Sequence, residues 1–213
     1  MQPENRSTAR RCIEAARPDL PGDALAELAV DPHYAVRRVV AGRTDLPLCI
    51  LTKLAADTNH NVRYAAAGNP QLPTDLVREL AGDTAGGVRR AISERADLPD
   101  DLLTRLAADT NGGTRLTVAR RADLPGVFTT QLVGDTEWYV RQAIAQREDL
   151  SLDLMRKLAA DVDHIVRVAV ARRADLPVDL VRQLAADTDD YVRVTIAKRS
   201  GLPSDLATPG EER

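Results

Sequence analysis

Two charged residue types recur in this sequence at fixed separations, and that regularity is where chemistry would reside. Aspartate stands at Asp31, Asp57, Asp83, Asp109, Asp135, Asp161 and Asp187, and arginine follows six residues later at Arg37, Arg63, Arg89, Arg115, Arg141, Arg167 and Arg193. Both series step by 26 residues. A guanidinium is a planar fork of donors that matches a carboxylate or a phosphate with two parallel hydrogen bonds. Two arrangements use such a column. The arginines could line a cationic track for phosphates, or each could fork onto an Asp carboxylate or helix-end carbonyls of its own or the adjacent repeat, as a buried structural ladder. Seven Asp against seven Arg cancel in charge, which favours the ladder.

A second cationic series comprises Arg43, Arg95, Arg120, Arg121, Arg147, Arg172, Arg173, Lys198 and Arg199, usually with an Asp two residues on, as in Arg121 and Asp123 or Arg173 and Asp175. It falls at the expected end of a helix, where cations suit the helix dipole. It reads as helix-end neutralisation with turn pairing; the alternative is an edge that grips acidic partners or a nucleic-acid backbone. Residues 114–201 hold 14 basic and 13 acidic residues, a balance that disfavours nucleic acid.

Enzymatic constellations are not found. His33, His60 and His164 sit at nearly the same point of separate repeats. His60 and His164 are four repeats apart, roughly 35–40 Å at the usual helix-layer spacing, and cannot share a metal. His33 and His60 lack a third ligand at fixed spacing. There is no helical His-Glu-x-x-His pair, no phosphate-cradling glycine loop before a lysine and no nucleophile elbow. Cys12 and Cys49 are too few for a four-thiolate zinc site, an iron–sulfur cluster or a disulfide scaffold. The expectation is a protein with neither catalytic residues nor cofactor.

The elements that carry these columns follow from the repeat itself. Leu20, Leu46, Leu72, Leu98, Leu124, Leu150, Leu176 and Leu202 are evenly spaced, and proline follows all but Leu150, after which Ser151 stands. Counting that leucine as position 1, position 9 is always leucine, from Leu28 to Leu184, position 12 is the aspartate and position 18 the arginine. Seven complete repeats fill residues 20–201. Residues 1–19 hold a partial repeat, with Arg11, Ala15 and Arg17 in register, and residues 202–213 begin an eighth that ends in a polar tail. Each repeat reads as two short helices. The first opens at the proline, placed at the first helical position. The second opens after Asp-Thr, whose side-chain oxygens would cap it. Apolar positions 5, 6, 9 and 10, then 17, 20, 21 and 22, give each helix one buried face. Helices this short are marginal alone and need a neighbouring repeat.

Composition agrees. The chain of 213 residues is 44% hydrophobic and 29% charged, with one Trp, one Phe and four Tyr, so Ala, Leu and Val must fill thin layers of close-packed helices. The net charge of −3 gives no bulk attraction to nucleic acid or anionic membrane. No apolar run approaches the roughly 20 residues of a membrane span, and Met1–Arg10 lacks the apolar centre of a secretory signal. A soluble cytoplasmic protein is expected.

Leu-Pro, then Leu-Ala-Ala-Asp-Thr, then Val-Arg and an Ala before Arg resembles the leucine-rich repeat variant family and, more loosely, HEAT-like repeats, whose Asp and Arg have similar spacing. The resemblance spans nearly the whole chain. It implies an all-α solenoid, a right-handed superhelix of paired helices, and leaves open whether the second helix of each pair is α or 3₁₀. Some members carry an N-terminal cysteine cluster holding iron and sulfur; Cys12 stands alone in that region, so the feature does not carry over. HEAT-like alkylpurine DNA glycosylases use a solenoid groove with aromatics and an Asp. Trp138 with Asp135 is the one such neighbourhood here, and Asp135 already belongs to the ladder column.

Positions 14–16, entering the second helix, vary most and hold most of the aromatic and histidine content. Candidate binding residues there are Tyr34, His60, Gly86, Gly87, Gly112, Gly113, Trp138, Tyr139, His164 and Tyr191. The two Gly-Gly repeats would form a side-chain-free notch, flanked by Tyr34 and His60 on one side and Trp138, Tyr139 and His164 on the other. Surface Trp and Tyr are common interaction anchors. An equally good reading packs these rings over neighbouring helix ends. The function expected is a non-catalytic scaffold for a protein or peptide, acting through its concave face and this loop edge; the rival is a DNA-binding protein, with or without base excision. Assembly through apolar repeat ends is a third reading, and the oligomeric state is left open.

Overall fold

The structure, a computed structural model, describes residues 7–200, 202–203 and 205–206. Residues 1–6 of the N-terminal partial repeat and the polar tail from residue 207 lie outside the described residues. Among those described, fifteen α-helices occur and no strand. The chain divides into two compact stacks, Met1–Val118 and Ala119–Arg213. The first holds α1 (Thr8–Ala15), α2 (Gly22–Leu28), α3 (Tyr34–Ala41), α4 (Leu48–Ala55), α5 (His60–Ala67), α6 (Thr74–Leu80), α7 (Gly86–Ser93) and α8 (Asp100–Ala107). Helix α9 (Gly112–Ala119) ends at the division. The second holds α10 (Gly126–Leu132), α11 (Trp138–Ala145), α12 (Leu152–Ala159), α13 (His164–Ala171), α14 (Val178–Ala185) and α15 (Asp190–Ala197). Even-numbered helices are the first of each repeat and odd-numbered helices the second.

The helix starts differ from the sequence expectation by one residue. Pro47 is the N-cap of α4, with an extended backbone at φ −57°, ψ 137°, rather than its first helical residue. Its carbonyl accepts the Leu51 N–H at 3.1 Å. Nor does Asp-Thr cap the second helix directly. The Asp57 carboxylate accepts the Asn59 N–H at 2.8 Å, forming a turn ahead of α5, and Asn59 is itself the N-cap, accepting from the Asn61 N–H. Of the two forms left open for the second helix, α is the one observed, and both helices of the repeat are α. Gly42 N donates to Arg38 O across four residues, closing α3 as an α-helix, and three-residue bonds such as Arg43 N to Val40 O are confined to helix ends.

Within each stack the second helices lie side by side, α3 against α5 and α5 against α7 in one, α11 against α13 and α13 against α15 in the other. Small residues permit this closeness: Ala41, Ala67, Ala145 and Ala171 are fully buried. Between the two helix layers sit Val40, Leu54, Val62 and Ile92 in the first stack, and Leu132, Ile144, Leu158 and Leu184 in the second, all essentially without solvent contact. Phe128 is the one buried aromatic of this core.

The Arg and Asp columns form the ladder, in which Arg37, Arg63, Arg89, Arg141 and Arg167 each serve two repeats. Arg37 forks onto the carboxylate of Asp57 in the next repeat through Nε at 2.6 Å and Nη2 at 2.9 Å, while its Nη1 donates to the Asp31 carbonyl of its own repeat at 2.7 Å. Arg63 to Asp83, Arg89 to Asp109, Arg141 to Asp161 and Arg167 to Asp187 repeat the fork, and Arg11 reaches Asp31 from the partial repeat. Arg115 donates to the Asp109 carbonyl at 2.7 Å. Arg193 donates to the Asp187 carbonyl and pairs with Asp190 of its own helix. Each Asp carboxylate also holds the turn before its second helix, as Asp135 does for the Glu137 N–H.

Burial pushes the Asp57, Asp83 and Asp109 carboxyls up, but the arginine fork, the turn N–H and the flanking guanidinium charges together hold all three below the usual carboxylate value. Asp187 is lowered chiefly by its hydrogen bond from Arg167. A carboxyl with a depressed folded pKa contributes stability that is fully present above its unfolded value of about 3.9 and is lost as pH falls through the folded value. Thermal unfolding followed by far-UV circular dichroism is therefore expected to hold a constant midpoint from pH 7 to about pH 5, then to drop steeply below about pH 4. A midpoint that holds steady to pH 2 would contradict the ladder's electrostatic role.

A second ladder, whose span between repeats is not legible from the sequence, lies at position 24. Arg43, Arg95, Arg147 and Arg173 each fork onto the Asp two residues on, and each turns Nη1 onto carbonyls at the end of the preceding repeat's second helix. Arg43 reaches Ala15 O at 2.9 Å, Arg95 reaches Asn69 O at 2.7 Å and Arg147 reaches Arg121 O at 2.6 Å. Arg199 likewise donates to Ala171 O. These arginines are buried to less than a tenth exposed where they fork, despite their charge. At Asn69 an amide replaces the guanidinium, donating to Arg43 O at 2.6 Å while its oxygen accepts the Gln71 N–H.

Candidate binding surface

With both ladders closed internally, the open face of the second helices is what remains for a partner. It is built from positions 16, 19 and 23, which share one side of the helix because residues three, four and seven apart do so; position 20 adjoins this face but is buried at Ala91, Ala143 and Ala169. In the C-terminal stack the three positions are Tyr139, Gln142 and Gln146 on and after α11, Ile165, Val168 and Arg172 on and after α13, and Tyr191, Val194 and Lys198 on and after α15. Tyr191 is 74% exposed and Val194 48%, high values for large apolar side chains. In the N-terminal stack the same positions are plainer. They read Ala35, Arg38 and Gly42, then Asn61, Tyr64 and Gly68, then Gly87, Arg90 and Glu94.

The loop-edge residues expected from sequence fall into two groups. Tyr34, His60, Gly86, Gly87, Gly112 and Gly113 belong to the N-terminal stack, and Trp138, Tyr139, His164 and Tyr191 to the C-terminal one. Tyr34 is exposed and stacks on His33, whose Nδ1 accepts the Ala35 N–H. His60 is exposed. The glycines do not form a clear notch. The Asn111 side chain occupies the space a Cβ would need at Gly86 and at Gly113, and only Gly87 has open space beside it. Gly112 is half-buried. Trp138 and Tyr139 meet edge to face at 5.6 Å between centroids, and His164 stacks on Tyr191 of the next repeat at 6.4 Å. The rings thus pair with one another, and Trp138 and Tyr191 keep exposed surface.

A solved structure described as a leucine-rich repeat variant with a novel repetitive protein structural motif is similar to this chain, with 31% identity and a TM-score of 0.72, over 92% of this chain and 77% of that one. The chain belongs to the leucine-rich repeat variant family. No family model and no curated protein sequence matches it.

In this leucine-rich repeat variant the cations of positions 23 and 24, adjacent in sequence, have different fates. Position 24 is consumed by the second ladder. Position 23 supplies Arg120, Arg172 and Lys198, which are exposed and make no ion pair among the described residues. A cavity of about 480 Å³ lies beside this row, lined by residues including Arg120, Gln146 and Glu148. Among the described residues no three His, Cys, Asp or Glu side chains come together as a metal site, and no helix is long and apolar enough to cross a membrane. Cys12 is half-buried and Cys49 exposed, both as free thiols. The sequence reading missed Ile165, Val168 and Val194. Their signal was present, because positions 19 and 23 follow the variable position 16 at helical spacing.

Proposed function

We propose that this leucine-rich repeat variant is a non-catalytic scaffold that binds a protein or peptide through the open face of its second helices and the adjoining 14–16 loop edge. The observation that carries the reading is the exposure of Trp138, Tyr191 and Val194 on a framework whose regular charges are engaged internally. A framework held by two ladders loses little conformational freedom when a partner docks, so modest side-chain contacts suffice for binding. Nucleic acid fits less well. The ladder arginines are turned onto carboxylates and carbonyls, and the three free cations of position 23 fall short of the roughly 6–10 phosphate contacts of a typical binder.

The test is retention of clones from a displayed random-peptide library, read as enrichment over an unrelated repeat protein. The wild type is expected to enrich peptides, and a variant carrying alanine at Tyr34, Trp138, Tyr139 and Tyr191 is expected to lose most of that enrichment. Equal enrichment by the two proteins would remove the loop edge from the site. Retention of duplex DNA at physiological salt with no peptide enrichment would replace the reading with nucleic-acid binding.

A further inference from the structure

The open face of the C-terminal stack is polarised along its helices. At their N-terminal edge lie Glu137, Asp163, Asp189 and Asp190; at their C-terminal edge lie Arg172 and Lys198, with Arg120 in the same row after α9. An eight-residue helix separates the two edges by about 12 Å. Between them runs an apolar band of Tyr139, Ile165, Val168, Tyr191 and Val194, and positions 16, 19, 20 and 23 of α11, α13 and α15 hold no carboxylate. The basic row makes no ion pair among the described residues, and Glu148 lines the cavity beside Arg120. Elsewhere in the repeat, acidic and basic residues are paired by column: position 18 with 12, position 24 with 26, and Arg156 with Asp179 on the first helices.

We infer that this band and its basic row form a docking site for an acidic amphipathic helix of a partner protein, with the apolar side of that helix on Tyr139, Ile165, Tyr191 and Val194 and its carboxylates on Arg172 and Lys198. The inference rests on the scaffold reading and adds the partner's chemistry. Spacing selects a helix over a strand. Packed helices lie about 8–10 Å apart, so equivalent side chains of successive repeats recur at that interval. A helix laid across the repeats advances about 10.5 Å in seven residues and returns nearly the same face. An extended strand covers about 10 Å in three residues, and residues three apart point to opposite sides. Charge selects an acidic partner over a polyanion. The carboxylates of the opposite edge lie within about one or two Debye lengths and oppose a phosphate backbone laid along the band, whereas a helix can turn its acidic side toward the basic row alone.

The test uses the full chain and three fluorescent probes followed by anisotropy. One is an 18-residue helical peptide with Leu and Tyr on one face and Glu along its flank; the second has Lys in place of every Glu; the third is a 20-base-pair DNA duplex. The Glu peptide is expected to bind at least about 10-fold more tightly than the Lys peptide. Arg172→Glu with Lys198→Glu is expected to weaken it by at least about 10-fold, as is Tyr191→Ala with Val194→Ala. All four side chains are exposed, and unchanged thermal unfolding of each variant is the control. Equal binding of the Glu and Lys peptides, or indifference to charge reversal, overturns the acidic partner. If Tyr191→Ala with Val194→Ala still weakens binding in that case, the scaffold reading survives. Binding of neither peptide overturns both, and binding of the duplex alone overturns both in favour of nucleic acid.

Discussion

Arg141→Ala is expected to lower the unfolding free energy by about 3–5 kcal/mol in urea titrations, because it strands a buried carboxylate. Arg141 forks onto Asp161 at 2.7 and 2.8 Å and reaches the Asp135 carbonyl at 2.7 Å, and the two side chains are only 11% and 8% exposed. Removing the guanidinium leaves a buried carboxylate without its fork, with Arg167, bonded to the Asp161 carbonyl at 2.8 Å, as the remaining neighbouring cation. The Asp161 carboxylate also accepts the Asp163 N–H at 2.9 Å, so deleting it altogether would undo the turn before α13. Asp161→Asn keeps an acceptor there and removes the charge. The double variant Arg141→Ala with Asp161→Asn is therefore expected to be more stable than Arg141→Ala alone, by about 1–3 kcal/mol. A single variant within about 1 kcal/mol of wild type would show that the ladder carries no appreciable buried charge.

The second large effect is expected at Arg173, which is 8% exposed. It forks onto Asp175 at 2.9 and 2.7 Å and donates to Ala145 O and Arg147 O. Arg173→Ala leaves those carbonyls without their donor, at about 2–4 kcal/mol. The loss is smaller than at Arg141 because the released Asp175 side chain is 54% exposed and water can solvate it. The protein itself supplies the conservative replacement. Asn69 occupies position 24 of the second repeat, four repeats before Arg173, and its amide spans the equivalent pair of carbonyls, Ala41 O at 3.4 Å and Arg43 O at 2.6 Å. Arg173→Asn is accordingly expected to recover roughly half of the loss. An asparagine variant as unstable as the alanine one would mean that the fork onto Asp175, and not the bridge to the preceding repeat, supplies the stability.

Much of this was readable from residue types because the repeat is strict. A 26-residue step that brings Leu, Asp and Arg back to the same place specifies helix pairs, a shared core and charge columns. What the sequence left open was direction. Asp57 has Arg37 before it and Arg63 after it along the chain, and only the packing of α3 against α5 shows that the fork comes from the preceding repeat and the backbone bond from its own. Adjacent cations such as Arg172 and Arg173 look alike in sequence, yet a rotation of about 100° per residue sends one to the open face and the other into the joint between repeats. The glycine pairs misled for a similar reason. Space left by a missing side chain belongs to whichever neighbour can reach it, and Asn111 reaches both Gly86 and Gly113.

In the ladder Arg37 reaches forward to a carboxylate twenty residues on and backward to a carbonyl six residues before, and Arg63, Arg89, Arg141 and Arg167 repeat both offsets. These joints within each stack therefore use the same two offsets. Recombination that duplicates or excises a whole 26-residue module would reconnect compatible joints, whereas a frame-preserving insertion of a few codons within one module would disrupt its neighbours on both sides. Length in such an array is free to evolve in whole-module steps and is resistant to smaller ones.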